Sequence, residues 1–95
     1  LLALAQYLPR LAARIPTVSL GDWPTPITAV EVDGHTLWVK DEGLSNAVYG
    51  GNKIRTLEMW FGHAQQHRAR RIWAIGAYGS NHAIATVVHA HTAGL

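Results

Sequence analysis

Asp33-Gly34 stands between two runs of β-branched and aromatic residues, and this pair constrains the fold more than any other feature of the chain. Glycine accepts positive φ without steric cost, so an Asp-Gly pair closes tight antiparallel turns. The flanking residues 27 to 32 and 36 to 40 are rich in Val, Ile, Thr and Trp, which predicts two antiparallel strands. Residues 2 to 14 place Leu4, Leu8, Leu11 and Ile15 at spacings of three and four, with Arg10 and Arg14 off that stripe. This predicts a short amphipathic helix, divided or kinked at Pro9 because proline lacks a donor and crowds the preceding turn. Between helix and hairpin, Leu20 to Ile27 carries Pro24 and Pro26 and must run extended.

Downstream of the hairpin, residues 41 to 51 hold Gly43, Ser45, Asn46, Gly50 and Gly51 and read as a loop. From Asn52 to His67, Ile54, Leu57, Phe61 and Ala64 recur at three and four residues with Trp60 alongside, the pattern of a helical face with Asn52 as N-cap. Arg71 to Gly76 reads as a short buried strand, and Asn81 to His91 as a helix that Gly94 ends. The order helix, hairpin, helix, strand, helix points to an α/β layer fold. Trp38 and Trp73 on strands and Trp60 on a helix are expected to pack in the core, with Trp23 beside prolines left open.

At 95 residues and 48% hydrophobic content the chain allows one small domain and argues against disorder. With no cysteine it has no disulfide staple, no thiolate chemistry and no cysteine-based zinc site, so marginal independent stability is expected. A net charge of +2 does not demand nucleic acid. The basic cluster Arg68, Arg70 and Arg71 lies near a helix end, where the dipole favours cations, and no aromatic residues interleave with it. His63 and His67 share a helix face but lack a supporting third ligand, and His89 and His91 point about 160° apart on a helix, so no metal site is expected. No export signal is read in the leucine- and alanine-rich start, and no apolar run approaches the roughly 20 residues of a membrane span. The expectation is a soluble, cytoplasmic protein with no membrane or nucleic-acid partner.

Lys40 and Lys53 are the lysines of the sequence, and Lys53 follows two glycines at the mouth of a helix. A free lysine, with pKa of about 10.4, is almost wholly protonated at neutral pH, and only the unprotonated amine forms imines. Partial burial and the positive helix end would both disfavour its cation, and the amides opened by Gly50 and Gly51 would favour an anion nearby. A solvated first-turn lysine is the alternative. Ser80 and Asn81 precede the last helix, where backbone amides, a hydroxyl and an amide can hold a carboxylate and a phenolic oxygen. Simple helix capping is the alternative there.

Four segments together carry a resemblance: Pro24-Thr25-Pro26-Ile27, Leu37-Trp38-Val39-Lys40-Asp41-Glu42, Gly50-Gly51-Asn52-Lys53-Ile54-Arg55-Thr56-Leu57-Glu58 and Gly79-Ser80-Asn81-His82. In order and spacing, from about Val18 to Leu95, the chain resembles the 1-aminocyclopropane-1-carboxylate deaminase and D-cysteine desulfhydrase family. The resemblance implies the N-terminal part of a tryptophan synthase β-like, pyridoxal phosphate-dependent α/β fold, with residues 1–95 as a single partial domain. It implies that Lys53 forms the imine with pyridoxal 5'-phosphate and later moves protons. By the same likeness Ser80 contacts the substrate carboxylate and acts at the reacting centre, and Asn81 bonds the cofactor's ring hydroxyl. The implied activity converts a small amino acid, of the D-cysteine or 1-aminocyclopropane-1-carboxylate type, to a keto acid and ammonia. Where the family commonly has Gln before Ser-Asn-His and Arg soon after, this chain has Gly79 and then Ala83, Ile84 and Ala85, which leaves substrate choice open. The family's glycine-rich phosphate cup, its partner for the pyridine nitrogen and its later tyrosines belong to a downstream region, so the chain alone is expected to be inactive. Self-association, or association with the missing C-terminal part, is the expected partnership. A non-catalytic α/β fragment or interaction module is the rival reading.

Overall fold

The computed structural model describes residues 2–95, with side chains from residue 5 onward. Strands β1 (Ile27–Val32) and β2 (His35–Lys40) pair antiparallel, from Ile27 opposite Lys40 to Val32 opposite His35. Asp33 and Gly34 close the hairpin with φ of 51° and 77°, the two left-handed residues of a turn whose twist matches the strands. The second strand begins one residue earlier than predicted. All twelve strand residues are exposed, so the ribbon projects from the body and is tied down at its base. There the Asp41 amide donates to the Pro26 carbonyl at 3.1 Å, and Lys40 Nζ donates to the carbonyl and hydroxyl oxygens of Thr25.

The N-terminal helix is divided where proline predicts. Helix α1 (Leu2–Tyr7) and helix α2 (Pro9–Ala12) meet at Leu8, and Pro9 opens α2, a position that lacks an amide partner in any case. Leu8 and Leu11 of the predicted apolar stripe are exposed, and the Leu4 side chain lies outside the described residues. Residues 16 to 26 then run as a strap along helix α3 (Lys53–Gln66), where the Val18 amide donates to the Glu58 carbonyl at 3.0 Å. A Cβ at Gly62 would overlap the Pro16 carbonyl, so glycine lets the strap lie against the helix backbone.

Helix α3 and helix α4 (Asn81–Thr92) enclose the core of Leu20, Ile54, Leu57, Phe61 and Ala85. Ile54, Leu57 and Phe61 are the predicted apolar face. Both helices end in the same way. Around Gly94, with φ of 72°, the Leu95 amide donates to Ala90 O and the Gly94 amide to His91 O. Around Arg68, with φ of 55°, the Ala69 and Arg68 amides donate to Ala64 O and Gln65 O. These are Schellman ends, and only the first carries the glycine that makes them cheap.

Two expectations are corrected. Residues 71 to 76 form no strand: a strand needs a hydrogen-bonded neighbour, and the sheet of the described residues consists of β1 and β2, with neither edge paired to this segment. Ile72 packs on the core, but Trp73 and Ile75 are 84% and 93% exposed. Trp38 and Trp60 are likewise exposed, at 74% and 61%, because the described residues provide no second layer over the hairpin or the outer face of α3. The observed architecture is thus α/β, with one antiparallel ribbon and helices.

Candidate functional site

The loop from Asp41 to Asn52 sets the mouth of α3. The Asp41 carboxylate accepts from the Gly43 amide at 2.9 Å and starts a 3₁₀ turn over Glu42–Ser45. Buried Ser45 both donates to Gly51 O, at 3.2 Å, and accepts from Gly51 N, at 3.0 Å, while Gly51 N also donates to Glu42 O. Asn46 donates to Leu20 O and accepts from the amides of Val48 and Tyr49. A Cβ at Gly50 would overlap the Gly43 carbonyl oxygen, and Gly51 has φ of 118°. The two glycines answer separate needs, close approach and a left-handed backbone.

Lys53 is the first residue of α3 and Asn81 the first of α4, and both line one polar cleft of about 320 Å³ with Tyr49, Gly50, Gly51 and Asn52. Lys53 is exposed, so the partial burial expected of it is absent. Asn52 stands at the N-cap position in helical conformation and makes no side-chain cap bond, which corrects its predicted capping role. Ser80 does cap α4: its hydroxyl oxygen accepts from the Ala83 amide at 3.3 Å, a contact that leaves the hydroxyl proton available. Gly76 lies against Ser80, where a Cβ would sit 2.7 Å from the hydroxyl oxygen. Lys53 and Asn81 therefore share the cleft, and Ser80 adjoins it without lining it.

Tyr49 ties the loop before α3 to α4. Its hydroxyl donates to Asn81 Oδ1 at 3.3 Å, and its carbonyl accepts from His89 Nε2 at 2.9 Å. His89 is 2% exposed, whereas spacing alone only set it apart from His91, which is exposed. The exposed His63 and His67 rings lie 4.1 Å apart, and among the described residues no group of three or more side chains suits a metal ion. A larger groove of about 410 Å³ runs between α3 and residues 69 to 75 and contains neither Lys53, Ser80 nor Asn81.

The rest of the Gly50–Glu58 motif supports this frame. Arg55 donates to Glu42 from Nε at 2.6 Å and from a terminal nitrogen at 2.9 Å, and its guanidinium lies 3.9 Å from the Trp23 ring centre. Thr25 adds a 2.7 Å bond to Glu42. The Arg55 hydrogen bonds, opposed in part by desolvation and aided by Thr25, hold the Glu42 carboxyl at about 2, below its ordinary 4.5. Arg55 is raised reciprocally, chiefly by its hydrogen bonds to Glu42. Buried Glu58 accepts from the amides of Leu20 and Gly21 and from the Trp23 indole, stapling the strap to α3. Tyr49, His89, Glu42 and Glu58 have no periodic signature; their partners are 13 to 40 residues away in sequence.

Fold and cleft define an α/β scaffold that presents a primary amine and a carboxamide at the mouths of adjacent helices. The chain is 37% identical over 89 residues, 90% of its own length and 27% of the relative, to a Pyrococcus abyssi protein provisionally named 1-aminocyclopropane-1-carboxylate deaminase. It is 35% identical over 74 residues, 74% of this chain and 18% of the relative, to the Arabidopsis thaliana mitochondrial bifunctional D-cysteine desulfhydrase/1-aminocyclopropane-1-carboxylate deaminase. Identity to the Nocardicin C-9' epimerase of Nocardia uniformis is 35% over 77 residues, 80% of this chain and 24% of that protein. No protein-family model matches the chain. No solved structure matches it either. The sequence is related to the 1-aminocyclopropane-1-carboxylate deaminase and D-cysteine desulfhydrase family, and the chain spans about a quarter of the length of the curated relatives it matches. No helix among the described residues is long and apolar enough to cross a membrane.

Proposed function

We propose that the chain is the lysine-bearing part of a pyridoxal phosphate-dependent deaminase or desulfhydrase of a small amino acid, of the D-cysteine or 1-aminocyclopropane-1-carboxylate type, forming a keto acid and ammonia. The observation that carries this reading is the shared polar cleft of Lys53 and Asn81. An exposed amine, a carboxamide and a glycine-opened helix mouth suit an aldehyde with an acidic hydroxyl beside it. When bound, pyridoxal phosphate supplies the electron-withdrawing ring that lets a bond at the amino-acid carbon break. Lys53 Nζ would hold the group through its aldehyde, and its freed amine would move the proton at the amino-acid carbon. Asn81 Nδ2 would donate to the ring oxygen. The Ser80 hydroxyl, beside the first-turn amides of α4, receives the substrate carboxylate. The fold of the whole enzyme is then tryptophan synthase β-like, with residues 1–95 a partial domain that requires the remainder for turnover.

Mixing the chain with pyridoxal phosphate is expected to produce an imine absorbance band that Lys53→Ala abolishes. A band unchanged in that variant, or none in the wild-type chain, counts against the reading. Exposed Trp73 and Ile75 favour a second reading, a non-catalytic α/β piece that works through association. Turnover restored by adding the downstream portion of a relative excludes that alternative; association without turnover supports it.

A further inference from the structure

We infer that Tyr49 and His89 are positioning residues of the cleft: His89 pins the main chain at Tyr49, and Tyr49 turns the Asn81 carboxamide so that its nitrogen donates to a bound oxyanion. This rests on the cofactor reading above and extends it to two residues outside the motifs that suggested it. The Tyr49 carbonyl can only accept, so His89 Nε2 carries the proton of their 2.9 Å bond. His89 is among the largest fully buried side chains of the described residues, and it spends a buried polar group on a loop carbonyl in a helix otherwise packed through Ala85 and Thr86. A histidine at that place fixes the loop relative to α4.

The other end of Tyr49 acts on the ligand side. A carboxamide carries its acceptor and donor on one rigid plane, so engaging Asn81 Oδ1 with the Tyr49 hydroxyl determines where Nδ2 points. An oxyanion requires the donor end, and a flipped amide would present the acceptor. Lys53 belongs to α3 and Asn81 to α4, so the link through Tyr49 also sets the separation of amine and amide.

The test uses the isotopically labelled chain with Tyr49→Phe, His89→Leu and His89→Gln. Tyr49→Phe is expected to shift the Asn81 side-chain amide resonances, preserve exchange protection in α3 and α4, and lower borohydride trapping of pyridoxal phosphate on Lys53 about fivefold, the worth of one hydrogen bond. His89→Leu is expected to speed amide exchange at Tyr49 and Gly51 about tenfold or more, and His89→Gln, which keeps a donor, to restore part of the protection. Unchanged Asn81 resonances in Tyr49→Phe overturn the inference, as does unchanged exchange at Tyr49 and Gly51 in His89→Leu. Should His89→Leu fail to fold, Tyr49→Phe still decides, since it removes one oxygen atom. Absence of labelling at Lys53 in the wild-type chain sinks the cofactor reading alone, and the Asn81 and exchange readouts still decide the positioning.

Discussion

Glu42 collects hydrogen bonds from Thr25 and Arg55 and an ion pair with Lys40 at 3.7 Å, joining strap, hairpin base and α3 in one cluster. Its carboxyl titrates at about 2 in the folded chain against 4.5 ordinarily, so the unfolded chain binds the proton more readily. The stabilisation is complete above pH 4.5 and is lost as pH falls toward about 2. Glu42→Gln is expected to cost about 1–3 kcal/mol at neutral pH and to flatten that acid limb, measured by urea melts across the range. Glu58 is more deeply placed. Glu58→Ala leaves two backbone amides and an indole N–H without their acceptor, at about 1–3 kcal/mol for each buried group, and should release the strap. Trp23 fluorescence would then move to the red at denaturant concentrations where α3 and α4 still give helical circular dichroism. Neither role is legible in the sequence, because a carboxylate's partners are set by folding and not by its neighbours.

Helices α3 and α4 offer a paired experiment, since their ends share a hydrogen-bond pattern and differ in the left-handed residue. Arg68→Gly is expected to raise stability by about 1 kcal/mol and Gly94→Ala to lower it by about 1 kcal/mol, both read from thermal melts. The sequence announces the second end through its glycine and hides the first behind an arginine that reads as a dipole partner. Other elements divide along the same physical line. Asp33-Gly34 and the three-and-four spacing of Ile54, Leu57 and Phe61 are local codes, and hairpin and helix follow them. Arg71 to Gly76 has the composition of a strand, but strand formation is a relation between two segments, and composition names only one. Within the site, Gly50-Gly51-Asn52-Lys53 shows a loop feeding a helix, while the approach of Asn81 depends on how α4 packs. The Tyr49–His89 bond spans 40 residues and is invisible to any window.

The described chain is flat and open, with extents of 52 × 38 × 20 Å and a radius of gyration of 15.5 Å. A compact chain of this length would have about 12 Å. Its core holds five buried apolar residues, while Trp38, Trp60, Trp73 and Ile75 face outward. Low cooperativity of unfolding, dye binding to apolar surface and concentration-dependent sedimentation are expected, and a sharp two-state melt with monomeric sedimentation at all concentrations would contradict this account. The unpaired connector between α3 and α4 has a further consequence. It carries Arg68, Arg70 and Arg71, all exposed. Beyond the N-terminal Arg10 and Arg14, the remaining trypsin sites, Lys40, Lys53 and Arg55, sit within a strand and a helix. Limited trypsin digestion should therefore nick the connector early. The cut would leave the amine of the cleft on one polypeptide and its carboxamide on another, joined through the core and the hydrogen bonds of Tyr49 with Asn81 and His89 and of Gln65 with the Ala93 carbonyl.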